Sequence, residues 1–179
     1  MALPDYFKIE PGTAVIWGEA GASGVTKTLS FDGLAAGSAL MGEVADLGAQ
    51  FDEEYLVFLI IETGTAPSAT ISTVDLYLPC TDNTGRYPAK VTGSAGAYTL
   101  GTANANLKQA GAMITSLSAT NDTNTILCQA PVIWRPVGRY VVPILVNNMD
   151  QAIRDETTAT NNDSRVILVP RRFMVQDSA

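Results

Sequence analysis

The chain has 179 residues, 46% of them hydrophobic and only 16% charged, with a net charge of -7. A chain of this length hides about 70% of its unfolded surface in one well-buried domain, and its acidic balance excludes nucleic acid as a partner, because phosphate binding needs clustered Lys and Arg. The apolar fraction exceeds what a free-standing soluble monomer needs, which points to surface that meets other subunits.

Residues 1–12 (MALPDYFKIEPG) carry Pro4 and Pro11 and read as an extended N-terminal arm able to lie on a neighbour. Residues 13–179 read as a single domain. The opening segment has no basic stretch followed by an apolar one, and no run of 18 apolar residues occurs in the chain. Neither a signal peptide nor a membrane span is therefore expected, and synthesis is expected to end in a cytosol.

From residue 13 onward, period-two alternation recurs and long 3.6-residue stripes do not. Strands are expected over 13–17, 25–31, 39–47, 54–63, 70–80, 112–119, 125–134, 139–148 and 164–170. The GEAGASG run (18–24) places three glycines after a strand, but a phosphate-cradling loop must open a helix, and VTKTLSF, which follows, reads as a strand.

Within 54–63, Tyr55, Val57, Leu59 and Ile61 share one face and Leu56, Phe58 and Ile60 the other. A strand that is apolar on both sides is expected to be covered on both. The stretch from Tyr87 to Ala110 is the longest interruption, an excursion longer than a compact connection needs. Cys80 and Cys128 lie in apolar strands and are expected as a reduced, buried pair, with a disulfide between them as the alternative.

The stretch RYVVPILVNN (139–148) sets Pro143 inside an apolar strand. Proline cannot donate to a ladder, so an edge strand or a bulge is expected there. An edge strand apolar on both faces is a natural place for a neighbouring protein to pack. Many short strands joined by Gly, Asn and Asp turns give the fold class: all-β, an antiparallel β-sandwich or jelly roll of about eight or nine strands, with a closed barrel as second choice.

Candidate chemistry is thin. The chain has no histidine, which removes the Ser-His-Asp and Cys-His systems and most zinc sites. Paired carboxylates survive as raw material in Glu43, Asp46, Asp75 and the Asp52–Glu54 cluster, without a spacing that marks a dyad. The loops 81–85, 121–124 and 160–164 offer oxygens but match no calcium template. Trp17, Tyr77, Tyr87, Tyr98, Trp134 and Tyr140 are the aromatics from which a sugar platform would have to be built. No catalytic residue, cofactor or metal is expected.

The succession VADLGA (44–49), TGTAPSATISTVDLYL (63–78), VTGSAGAYT (91–99), PVGRYVVPILVNNMDQAI (136–153) and RVILVP (165–170) resembles a group of tailed-bacteriophage virion structural proteins. The resemblance implies a jelly-roll or β-sandwich subunit that decorates or cements a capsid, often as a homotrimer, with the major capsid protein and copies of itself as partners and the virion as its location. It brings no catalytic residues. The expected contact residues are Phe58, Tyr140, Val141, Pro143 and Leu145, with Arg135 and Arg139 at the polar rim. An internal role, with Arg139 pairing Asp75 or Asp150 and Tyr140 filling the core, is the other reading. A tail or adaptor component and a carbohydrate-binding virion module are the alternative functions, and an enzyme ranks last.

Overall fold

The computed structural model describes residues 6–49, 54–67, 72–83, 86, 91–99, 113–118, 126–154 and 163–176, with backbone alone for 6–11, 113 and 172–176. Among these residues there is no helix, and the fold is all-β. Its strands are β1 (Tyr6–Pro11), β2 (Val15–Gly18), β3 (Lys27–Thr28), β4 (Ala39–Met41), β5 (Ala45–Asp46), β6 (Glu54–Glu62), β7 (Thr73–Tyr77), β8 (Cys80–Thr81), β9 (Gly96–Tyr98), β10 (Met113–Ser118), β11 (Ile126–Cys128), β12 (Val132–Trp134), β13 (Tyr140–Val141), β14 (Ile144–Asn147) and β15 (Arg165–Gln176).

They form three sheets. A seven-stranded sheet runs β11-β6-β15-β2-β3, with β12 also on β6 and β1 also on β15; a five-stranded sheet runs β10-β7-β14-β4-β9; a three-stranded sheet runs β5-β13-β8. Pairing is antiparallel except between β2 and β3. The arm expected over residues 1–12 is, where described, the strand β1. It lies on its own chain, with Tyr6 opposite Gln176 and Pro11 opposite Arg171.

Alternation in β6 decides where the core sits. Tyr55, Val57, Leu59 and Ile61 are buried, as are Val166 and Leu168 opposite them on β15. These side chains share one apolar cluster with Val74, Leu76, Leu117 and Leu145 of the five-stranded sheet and with Trp17, Leu29 and Phe31. Burying this many large apolar side chains is the main stabilising term of the fold, at about 1.5–3 kcal/mol each. The opposite face of the five-stranded sheet carries a second cluster, built from Met41, Tyr77, Val91, Tyr98, Ile144 and Val146.

Four of the expected strands are each broken in two: 125–134 becomes β11 and β12, both on β6, and the other three break side by side. The stretch 39–47 becomes β4 and β5, 70–80 becomes β7 and β8, and 139–148 becomes β13 and β14. The first segments of two of them and the second of the third are neighbours in the five-stranded sheet, and the remaining segments are neighbours in the three-stranded one. The breaks fall at Gly42, Pro79 and Pro143, where the chains turn a corner from one sheet into the next. Val142 N–H reaches the Pro79 carbonyl at 3.1 Å, and Gly42 N–H reaches the Pro143 carbonyl at 2.8 Å.

Pro143 therefore lies at no sheet edge. β14 is the central strand of its sheet, and its two apolar faces are covered by the chain itself: Leu145 faces the large cluster, and Ile144 and Val146 face the small one. The missing proline N–H ends one ladder where the next begins.

Loops are fixed by buried polar side chains. Asn147, fully buried, donates through Nδ2 to the carbonyls of Leu34 (2.9 Å), Ala35 (3.3 Å) and Gln151 (3.0 Å), and its Oδ1 accepts from Met149 N–H at 2.9 Å. Glu19 accepts from the Ser30 hydroxyl and from the N–H groups of Phe31 and Asp32. The GEAGASG turn is thus anchored by a buried acidic side chain. The excursion expected over 87–110 contributes β9 to the sheet edge, while 87–90 and 100–110 lie outside the described residues.

Candidate interaction surface

The residues of β6 that point away from the core are Glu54, Leu56, Phe58, Ile60 and Glu62. Cross-strand register extends them into rows. Leu56 lies between Ile133 of β12 and Val169 of β15; Phe58 lies beside Ile167, which is followed by Ile16 of β2; Ile60 lies between Cys128 of β11 and Arg165. Neither apolar cluster includes these outer side chains. Leu56, Phe58 and Ile60 are half-buried where full cover was expected.

The two ends of this stripe are ionic. At one end Glu54 accepts from Arg135 Nη2 at 2.6 Å and Nε at 3.1 Å, and from Arg171 Nη1 at 3.1 Å. At the other, Glu62 accepts from Arg154 Nη1 and from Asp163 N–H, and Arg165 lies 4.0 Å from Asp163. Both glutamates are buried beneath their arginines. An apolar centre with a charged border is the usual anatomy of a protein contact surface.

The exposed large hydrophobic side chains among the described residues are Ile126 (51% exposed), Ile133 (53%) and Val137 (83%). Ile126 and Ile133 fall on β11 and β12, along one margin of the same face, and Val137 on the loop that continues from β12. Val137 stands on a rigid tip. A Cβ on Gly138 would come within 2.6–2.8 Å of the Thr81 backbone, so the loop is pressed onto β8. Arg139 N–H donates to Asp82 Oδ1 at 3.0 Å.

The residues named from the sequence distribute unevenly over this picture. Phe58 lies in the middle of the outer face and Arg135 on its border. Val141 and Leu145 are fully buried in the core of their own chain, and Pro143 is buried at the corner; none of these three presents an anchor to a partner. Arg139 pairs with neither Asp75 nor Asp150. It makes a bidentate bond to Asp46, 2.6 Å to each oxygen, across the three-stranded sheet, and its guanidinium lies 5.0 Å from the Tyr140 ring centre. The contributions of Leu56, Ile60, Ile133, Ile167 and Val169 were missed. The signal was present in the alternation of SRVILVP, but which residues face outward follows only from its register against β6.

Other candidate chemistry is structurally occupied. The Arg139 bond holds the Asp46 carboxyl below its usual range, helped by Gly48 N–H, and the Lys27 bond does the same for Glu43 against the opposing effect of burial. Asp75 accepts from the Ser116 hydroxyl at 2.5 Å and from Asn148 Nδ2 at 2.8 Å. A cleft of about 360 Å³ beside β2 is lined by Lys27, Asp46, Leu47, Tyr55 and Pro170 among others. Its two charged groups are committed, Lys27 to Glu43 at 2.9 Å and Asp46 to Arg139.

Among the described residues no three His, Cys, Asp or Glu side chains gather closely enough to hold a metal. The loops 84–85, 121–124 and 160–162 lie outside the described residues. Among the described residues the aromatics do not gather into a platform: Trp17, Tyr77 and Tyr98 are buried, and Trp134 packs at 6.0 Å on buried Tyr55. Tyr87 lies outside the described residues. Cys80 and Cys128 are free thiols, the first half-buried and the second on the outer face. No protein-family model, curated protein or solved structure matches the chain.

Proposed function

We propose that this protein is a non-enzymatic structural component of a tailed-phage virion, a β-sandwich or jelly-roll subunit of the capsid-decoration (cement) type. It binds the major capsid protein and copies of itself and stabilises the head shell by contact alone. The observation that carries the reading is the outer face of the seven-stranded sheet, an apolar centre bordered by arginine–glutamate pairs on an otherwise acidic chain. Such a surface grips a partner through a few buried anchors and excludes water at its border.

The test is quantitative protein analysis of purified particles. Copy number on the scale of the major capsid protein is the expected result. A handful of copies per particle moves the protein to the tail or adaptor position, and its absence from particles overturns the reading.

A further inference from the structure

Resting on the reading of this face as an assembly surface, we propose that its first occupant is a second copy of the same chain, paired about a twofold axis through the Ile126–Ile133–Val137 margin. Three observations converge on it. Among the described residues the exposed large apolar side chains are confined to β11, β12 and the loop that continues from them, and Phe58 with its neighbours on β15 extends the apolar surface inward. The tip that carries Val137 is closely packed, since Gly138 lies against the Thr81 backbone, and little ordering is left to be lost there on association.

Charge selects the partner. Two copies of a chain carrying -7 repel each other over most of their surface. The outer face departs from that balance: Arg135, Arg154, Arg165 and Arg171 border it against Glu54, Glu62 and Asp163, so four of the chain's seven arginines gather here. The Val137 tip lies between charges of opposite sign. Arg135, with its side chain 76% exposed, precedes it, and Asp82, exposed, lies beneath the turn that follows.

A twofold axis brings each residue of one copy onto its counterpart's neighbour reciprocally. Arg135 of each copy then meets Asp82 of the other on either side of the paired apolar tips. The available area is sufficient. The nine residues of β6, at about 3.4 Å each, and four strands about 4.8 Å apart give roughly 500 Å² per copy. A pair therefore buries on the order of 1,000 Å² in total, the lower bound for a specific interface.

The experiment is sedimentation of the purified full chain over a range of concentrations, which makes no use of particles and is independent of where in a virion the protein sits. The parent is expected to sediment as a dimer in equilibrium with monomer. Ile133→Glu and Val137→Glu are expected to weaken pairing by at least about tenfold, with circular dichroism unchanged because both side chains are exposed. Arg135→Asp and Asp82→Arg are each expected to weaken it, and the double exchange to restore it. A parent that is monomeric throughout, an oligomer of another stoichiometry, an oligomer indifferent to both glutamate substitutions, or a double exchange no better than the single ones overturns the proposal.

Discussion

Gly42 and Pro143 are in contact at the corner of the fold: Gly42 N–H donates to the Pro143 carbonyl at 2.8 Å, and a Cβ at position 42 would stand 2.6 Å from Pro143 Cγ. Trp17 Cδ1 closes the same space at 3.2 Å. The proline ring occupies the volume that the glycine leaves open. Gly42→Ala is expected to cost about 1–3 kcal/mol through overpacking, read as a lowered urea midpoint with an unchanged slope. A midpoint equal to the parent's would show that the corner yields easily.

At the proline itself the burial gives a different outcome from that of a surface anchor. Pro143→Asp places a carboxylate in the core without a partner, and a loss of more than about 3 kcal/mol is expected. The variant should fail to accumulate as folded protein, as seen by circular dichroism and soluble yield, rather than fold and merely assemble poorly. A normally folded Pro143→Asp variant would contradict the corner described above.

Asn147 ties three carbonyls that belong to two loops. Asn147→Ala removes the Nδ2 donor from all three carbonyls at once, although Leu34 and Ala35 keep backbone partners in Ile153 and Ser38. A loss of about 2 kcal/mol is expected. Hydrogen exchange should rise at Met149 and through 34–38, while β6 keeps its protection. Uniform loss across the molecule would mean that the side chain holds up the whole fold and not these loops.

Acid should weaken the protein through Asp46 and Glu43. Both carboxyls are held below their ordinary range, the first chiefly by Arg139 and the second chiefly by Lys27. In acid the unfolded chain binds more protons than the folded one, so stability rises with pH there. The contribution is complete above the ordinary carboxyl range and is lost as pH falls through the lowered values. Both groups are well solvated, so the effect is small. Asp46→Asn is expected to flatten the acid limb of a midpoint-against-pH curve and leave its neutral plateau nearly level. An unaltered acid limb would show that the pair contributes nothing measurable.

Much of this fold was legible in the sequence, and the failures share a cause. Alternation placed Tyr55, Val57, Leu59 and Ile61 on one buried face and located β6, β10 and the first half of β15 to within a residue or two. Local pattern says nothing of what lies across a sheet. The double apolar face of 139–148 was read as an edge awaiting a neighbour, yet Val91, Tyr98 and Met41 of the same chain share its outer cluster. Three mid-strand breakers, Gly42, Pro79 and Pro143, were visible one by one. Their alignment into a corner is a long-range fact. The same holds for Arg139: a rim charge and an internal pair were equally compatible with its neighbours in sequence, and only the register of Tyr140 against Asp46 decides. Of the outer face of β6, the sequence singles out Phe58 and Arg135, while the rows around them required β15 to be set beside β6.

The placement of β15 also governs how the protein must be made. It lies between β6 and β2, yet it is the last of these strands to leave the ribosome, more than a hundred residues after β6 begins. Until it arrives, β6 and β2 present bare ladders on a nascent chain, the condition in which strands from different polypeptides most readily join wrongly. Final closure of the largest sheet therefore waits on its last strand, slow as distant β pairings are, and crowded co-expression is where misassembly should first be seen.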